Sequence, residues 1–228
     1  MHPTPSAPIF RSIAERAVLV EFGTVLDQAA HDAVLQLDQA LAAQPFVGFR
    51  EAIPAFVNLL VEFDPVTTDH PTTIAHLRGL LTAQTTARAQ PAQREVLVCY
   101  DADLAPDLVA VAQATGLTPE AVINAHLSGD YAVFMYGFAP GYAYLGGVPE
   151  VIRLDRKPSP LRGVAAGSVI IAGAQCLVTT LLMPTGWWII GRSPTRILTD
   201  DTARPFLFDV GDKVRFRRIR RAEYEAEQ

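Results

Sequence analysis

The chain has 228 residues, half of them hydrophobic, and a formal net charge of −5, with a pI near 5.5. That length and apolar content allow one large or two modest buried cores. An acidic balance argues against a nucleic-acid binder, whose affinity rests on a basic surface that neutralises phosphates. Cys99 and Cys176 are the two cysteines; they stand far apart and in no metal-ligand spacing, which fits a reducing compartment, and the cytoplasm is the expected location. No apolar run reaches the roughly eighteen residues that spanning a bilayer takes, and no basic stretch followed by an apolar one opens the sequence as a signal peptide does.

In chain order, residues 1–8 read as a loose end and residues 17–22 as a strand that Gly23 closes. Asp27 stands where an N-cap belongs, and Ala30, Val34, Leu37 and Leu41 recur at three- and four-residue steps, predicting an amphipathic helix that Pro45 and Gly48 stop. Two extended segments follow, residues 49–53 and, after Pro54, residues 55–63. Thr72 or Thr73 is the expected cap of a second helix carrying Ile74, Leu77, Leu80 and Leu81. This order predicts a small α+β sandwich with helices on one sheet face. Residues 83–93, polar and ending near Pro91, read as a linker, with domains 1–90 and 91–228 on either side.

The second domain opens with a strand at residues 95–100, then a helix from Pro106 closed by Gly116 and a helix announced by Thr118, Pro119 and Glu120. From Tyr131 onward, short β-rich runs broken by glycine and proline predict a barrel or sandwich. The basic tail Arg215, Arg217, Arg218, Arg220 and Arg221, followed by Glu223, Glu225 and Glu227, reads as a solvated terminal segment.

Three clusters carry the functional case. Residues 137–147 hold four glycines and a proline among aromatics; residues 167–175 and 184–194 follow the same style. Glycine lets a backbone approach a ligand and proline removes a donor, so these read as loops shaped around a small molecule or a partner. His126, at the end of a short helix, is expected near the carbonyl end of its dipole, a position that favours the protonated form; it reads either as a donor to an anion held by the Gly137 loop or as a packed helix-end residue. Arg153, Arg156, Lys157, Arg162 and Arg192 stand in or beside the clusters, and guanidinium groups bind carboxylates and phosphates bidentately. Of these, Arg192 is singled out because it closes a buried-looking strand. Tyr142, Tyr144, Trp187 and Trp188 read equally as pocket lining or core. Cys176 reads as a buried hydrophobe. No phosphate-binding Gly-Lys loop, nucleophile elbow or metal motif is present, and no metal site is expected.

The order and spacing of residues 133–147, 167–175 and 184–194, with Ile53-Pro54-Ala55 and residues 59–65 upstream, resemble the KipI/PxpB family, also called allophanate hydrolase subunit 1. The resemblance implies an α+β fold: a small N-terminal α/β sandwich followed by a cyclophilin-like β-barrel. It implies one subunit of an ATP-dependent complex that opens 5-oxo-L-proline or a related lactam or amide. The implied partners are a KipA/PxpC-type carboxyltransferase-like subunit and a LamB/YcsF-type subunit, with ATP bound by the complex rather than by a motif in this chain. On this reading His126 and Arg192 are the expected catalytic residues and Gly137, Pro140, Gly141, Tyr144 and Gln175 the expected substrate-binding residues. Related members imply two other roles: a carboxyltransferase component of a urea amidolyase-like system, and a non-catalytic inhibitor of a histidine kinase. The sequence departs from the family pattern at Leu161, Gly163, Ala165, Leu177 and Thr179; Leu177, in place of glycine, is expected to reshape the pocket.

Overall fold

The computed structural model describes residues 7–83 and 91–227, so most of the expected linker lies outside the described residues. The chain divides into two compact units, Met1–Gln90 and Pro91–Gln228.

The first unit holds β1 (Ile9–Ile13), β2 (Ala17–Glu21), α1 (Gln28–Ala43), β3 (Phe49–Ala55), β4 (Asn58–Phe63) and α2 (His70–Thr82). Its antiparallel sheet runs β1-β2-β4-β3. The alternating residues Val18, Val20, Leu59, Val61 and Phe63 send one sheet face into a core that Val34, Leu37, Leu41, Leu77 and Leu80 complete from the two helices. Asp27 caps α1, its carboxylate accepting from the Ala30 amide at 2.9 Å. Two local readings are corrected. Most of the expected loose start lies outside the described residues; β1, which follows it and has no counterpart among the expected elements, is nearly all exposed and carries no buried alternation to read. Helix α2 is capped by Asp69, which accepts from the Thr72 amide at 2.8 Å, while Thr73 lies buried inside the helix. The strand break comes at Phe56, whose φ of +54° makes the turn. Pro54 stays within β3, an edge strand where its missing N–H leaves no ladder bond unmade.

The second unit opens with β5 (Gln93–Val98), α3 (Leu108–Thr115) and α4 (Pro119–Leu127), followed by β6 (Tyr131–Tyr136) and β7 (Ala143–Gly146). A 3-10 turn at Glu150–Ile152 leads to β8 (Leu161–Val164), β9 (Ser168–Ala172), β10 (Gln175–Val178), β11 (Met183–Thr185) and β12 (Trp188–Arg192); β13 (Lys213–Arg218) and α5 (Arg221–Ala226) end it. Gly116 closes α3 with φ +70°, and the Thr118 hydroxyl caps α4. Seven strands form one sheet in the order β12-β9-β10-β7-β6-β13-β5, and β8 and β11 pair as a separate ribbon. The two edges of the large sheet meet: Cys99, just past β5, exchanges backbone hydrogen bonds of 2.8 and 2.9 Å with Arg192 at the end of β12. A sheet whose edges find each other is a nearly closed barrel.

Val96, Val133, Leu145, Val169, Ile171, Cys176, Val178, Ile190, Val214 and Phe216 fill its main core. Ile170, Leu177 and Ile189 alternate with them and, with Tyr142 and Trp187, build a smaller apolar cluster on the other face of β9, β10 and β12. The basic tail is not a free segment. It is largely β13, lying between β6 and β5, with Val214 and Phe216 buried. Arg217 pairs with Glu95 and Glu223, and Arg218 with Glu120. Alternating apolar residues with arginines is the period of a strand whose outer face is charged. Among the described residues no helix is long and apolar enough to cross a membrane.

Candidate functional site

The connection between β6 and β7 organises the site. The Ala139 amide donates to the Gly137 carbonyl at 2.9 Å, two residues back, and Phe138 between them has φ +71°. This is a γ-turn of the positive-φ kind, a strained conformation for a residue with a side chain. It holds the Phe138 ring 73% exposed. The Gly137 amide donates to the Tyr142 carbonyl at 3.2 Å and the Tyr142 amide to Ala139 at 3.1 Å, tying the loop to itself. Gly141, at φ +73°, has no room for a side chain: a Cβ there would lie 2.8 Å from Leu198 Cδ2 and 3.0 Å from Thr180 Cγ2. The Thr180 hydroxyl donates to the Pro140 carbonyl at 2.6 Å, pinning the loop just beyond the end of β10.

On one side of this loop lies an aromatic cavity of about 360 Å³. Phe138, Tyr142, Tyr144 and Trp187 form its walls, Ile170 and Leu177 its apolar floor, and Arg156 and Lys157 stand at its edge. Tyr144 and Trp187 meet edge to face, ring centroids 5.9 Å apart, and the Arg156 guanidinium lies 5.8 Å from the Trp187 ring centre. The two cations differ. Lys157 Nζ is 2.6 Å from Asp107 Oδ2, an oxygen that also accepts from the Ile189 amide at 2.7 Å, so its charge is already matched. Among the described residues no carboxylate lies within ion-pairing distance of Arg156. Burial raises the Tyr142 and Tyr144 hydroxyl pKa values above the ordinary phenol value, Arg156 partly opposing this at Tyr144. Both stay protonated and able to donate at neutral pH. The cavity thus offers one uncommitted guanidinium, neutral hydroxyls and flat aromatic walls, a combination suited to a small, partly apolar molecule with a single negative charge.

A second, more polar recess has a volume of about 390 Å³. Gly167 before β9, Thr179 and Thr180 after β10, and Ser193, Thr195 and Arg196 after β12 line it. The three glycine-rich clusters therefore converge, because their strands are neighbours, but on two cavities: Phe138 and Tyr142 of the 137–142 loop line the aromatic one, and no residue of that loop lines the polar one.

The predicted residues distribute unevenly around this geometry. Tyr144 lines the aromatic cavity; Gly137, Pro140 and Gly141 shape the loop between β6 and β7; Arg192 lies beside Gly167, which borders the polar recess, but itself lines neither cavity. Gln175 pairs with Ala172 and Gly146 at a strand end and borders neither cavity. The expectation of a protonated His126 is reversed. The ring is fully buried, its Nδ1 2.7 Å from the Tyr100 hydroxyl and its Nε2 3.6 Å from Cys176 Sγ. Burial lowers its pKa from 6.5 to about 3. Desolvation outweighs the helix dipole because the ring turns into the barrel core instead of lying over the helix end. Cys176 is fully buried as well, and burial pushes its thiol up, away from the reactive thiolate. Among the described residues no His, Cys, Asp and Glu side chains gather in a group that could hold a metal ion.

Two features of the site have no legible trace in the sequence. Asp107 joins the start of α3 to Lys157 and β12, yet alone it reads as an ordinary residue in the first turn of a helix. The γ-turn at Phe138 has no sequence signature beyond its flanking glycines.

The carboxyltransferase domain, subdomain C and D, matches residues 8–208. The chain belongs to this family. It is 34% identical over 230 residues to a protein named as a subunit of 5-oxoprolinase from Bacillus subtilis (strain 168), covering 94% of each chain. It superposes on the crystal structure of TTHA0988 with a TM-score of 0.79 and 34% identity, covering 90% of this chain. Only 40% of that longer chain is matched, so this chain corresponds to a part of it. The K. lactis urea amidolyase shares the fold at a TM-score of 0.75 and 17% identity, 96% of this chain matching 15% of that one. Within this family fold, the departure at Leu177 falls on the floor of the aromatic cavity.

Proposed function

We propose that this chain is the PxpB-type component of a 5-oxoprolinase complex and that its aromatic cavity receives the lactam substrate. The observation that carries the reading is the unpaired Arg156 guanidinium over Trp187, in a cavity otherwise aromatic and apolar. A five-membered lactam with one carboxylate has the matching features: one charge for the guanidinium, a ring for the aromatic faces, and a carbonyl for a tyrosine hydroxyl. The likeness to the Bacillus subtilis 5-oxoprolinase component over nearly the whole chain supports the same assignment.

The chemistry calls for help from other chains. A lactam carbonyl is a poor electrophile; transfer of a phosphoryl group from ATP to its oxygen releases ADP and creates a centre that water attacks, the C–N bond breaks as the nitrogen takes up a proton, and a second water releases the phosphate to leave the open amino acid. In this reading ATP and the remaining catalytic groups come from a KipA/PxpC-type subunit and a LamB/YcsF-type subunit. This chain fixes the substrate's carboxylate and ring. Of the residues expected from the sequence, Tyr144 contacts the substrate, and Gly137, Pro140 and Gly141 shape the loop that carries Phe138 and Tyr142 to the cavity. Leu177, where the family pattern has glycine, puts an apolar side chain on the cavity floor for the lactam ring to lie against.

The test is ATP hydrolysis dependent on 5-oxo-L-proline by the assembled complex. Arg156→Gln is expected to raise KM for the lactam by roughly tenfold or more, the loss of one charge-assisted contact, with a smaller effect on kcat. A verified assembly that hydrolyses no ATP in response to 5-oxoproline would remove the specific activity.

A further inference from the structure

Two cations stand at the edge of the aromatic cavity, Arg156 and Lys157, and the fold treats them in opposite ways. Residues 155–157 are laced to β12 and the chain entering it. The Trp188 indole N–H donates to the Asp155 carbonyl at 2.8 Å, and the Lys157 amide donates to the Gly186 carbonyl at 2.7 Å. Between those anchors the Arg156 guanidinium lies over the Trp187 ring. The Lys157 ammonium passes 5.7 Å from the Trp188 ring centre and reaches Asp107.

Asp107 is held in place for that contact. It stands at the N-cap of α3, where an aspartate ordinarily turns its carboxylate back onto the helix amides, and it makes no such bond. Its amide donates instead to the Ile189 carbonyl at 3.0 Å, and its Oδ2 accepts both the Ile189 amide at 2.7 Å and the Lys157 ammonium at 2.6 Å. The Lys157 and Asp107 side chains are only 14% and 19% exposed, so solvent and salt screen their attraction weakly. Asp107 itself is not part of the cavity lining.

We propose that Asp107 is a specificity-determining residue of the aromatic cavity: by neutralising Lys157 it leaves Arg156, among the described residues, as the cavity's uncommitted cation, and so selects monoanions over dianions. The inference rests on reading this cavity as the lactam site. A second anionic group on a ligand would lie beside an ammonium that is already matched, with the Asp107 carboxylate behind it, and a desolvated charge without a partner is costly. The wrong ligand is rejected by what it leaves unpaired. Opening a lactam acid creates a second carboxylate, so the same pairing disfavours the opened product relative to the substrate.

The experiment is a calorimetric titration of the full chain with three anions. They are 5-oxo-L-proline; cyclopentanecarboxylate, which keeps a ring and one charge without the lactam; and glutarate, an open chain with two carboxylates and no amine. Wild type is expected to bind a ring monoanion at least about tenfold more tightly than glutarate, the scale of one charge-assisted contact. Asp107→Asn keeps an oxygen for the Ile189 amide and frees Lys157, and it is expected to reduce that preference about tenfold by binding glutarate more tightly, a gain that a damaged fold does not produce. Adding Lys157→Gln removes the freed charge and is expected to restore the wild-type preference. Where the single variant does not fold, the wild-type comparison and this uncharged pair still decide. Glutarate bound by wild type as tightly as the ring monoanions, a preference unchanged in Asp107→Asn, a preference lost in the double variant, or saturable binding of none of the three would overturn the proposal. Binding of cyclopentanecarboxylate without 5-oxo-L-proline would remove the lactam reading and leave the charge selection standing.

Discussion

The neutral, buried His126 sets a pH dependence that can be worked out in advance. Its folded-state pKa is depressed to about 3, against 6.5 when exposed. Below pH 6.5 the unfolded chain therefore binds a proton that the folded chain refuses, and stability falls as pH falls, until both forms are protonated near pH 3. Each unit of pH across that window costs roughly 1.4 kcal/mol, so going from pH 7 to pH 4.5 removes about 2.5 kcal/mol through this residue alone. Other groups titrate over the same range, so the quantity to read is a difference. His126→Gln keeps a hydrogen-bonding side chain beside the Tyr100 hydroxyl but cannot take up a proton. It is expected to destabilise the barrel at pH 7, where a buried polar contact is disturbed. The gap between variant and wild type then closes by about 2.5 kcal/mol on acidification to pH 4.5. Urea unfolding followed by tryptophan fluorescence suits the measurement, because both tryptophans, Trp187 and Trp188, belong to the barrel unit. If the two stability curves run parallel across pH 4.5 to 7, the buried ring is either charged when folded or not released on unfolding, and the reasoning fails.

Asp38 on α1 has the opposite sign. Burial raises its carboxyl to about 6, so the folded state holds a proton that the unfolded state has lost, and stability drops as pH climbs from about 4 to 6. Asp38→Asn should stabilise the first unit at pH 7 by about 1 kcal/mol, after discounting the shift for a side chain that water still reaches, and should make no difference below pH 4 in a calorimetric series. Two glycines with positive φ should respond very differently to alanine. Gly147, at φ +112°, would place a Cβ 2.2 Å from the Asp130 carbonyl, and Gly147→Ala is expected to cost more than about 3 kcal/mol or to leave no folded barrel. Gly116, at φ +70°, has open space around it, and Gly116→Ala should cost about 1 kcal/mol; equal thermal shifts for the pair would refute this. Phe138→Gly removes backbone strain of roughly 1–3 kcal/mol and little packing, since the ring is 73% exposed. The variant barrel should unfold at higher urea, and a lower midpoint would mean the turn is relaxed.

What can be read from the sequence follows from which forces act locally. Asp27, Thr118 and Gly116 are legible because a cap is settled within four residues of itself. The amphipathic stripe of α1 is legible for the same reason. The basic run at residues 215–221 misleads because its partners are distant: Glu95 and Glu120 lie more than ninety residues away, and the buried Val214 and Phe216 gain their meaning only once β5 and β6 flank them. Pro54 misleads for a related reason. A proline breaks a strand only where its N–H is needed, and whether β3 is an edge is a property of the whole sheet.

The same distinction separates the parts of the site. Glycine density marks the 137–147 segment, since backbone freedom is written into residue type, and the neighbouring strand order carries the other two clusters to it. Charge assignment is not written there. Arg156 and Lys157 are adjacent and chemically alike in sequence, and only Asp107, fifty positions away, makes one of them spent and the other free. The place of His126 on a helix suggests a charge, when its burial among Tyr100, Tyr131 and Phe216 decides the matter. The helix dipole contributes about 1 kcal/mol at a terminus, whereas full desolvation moves a histidine by several pKa units. Ring orientation, which no spacing rule encodes, therefore decides which of the two governs. A cation or imidazole near a glycine-rich loop becomes a functional group only when the fold leaves it both accessible and unmatched. By that measure Arg156, at the edge of the aromatic cavity with no carboxylate partner among the described residues, is where the chemistry of this chain should be sought.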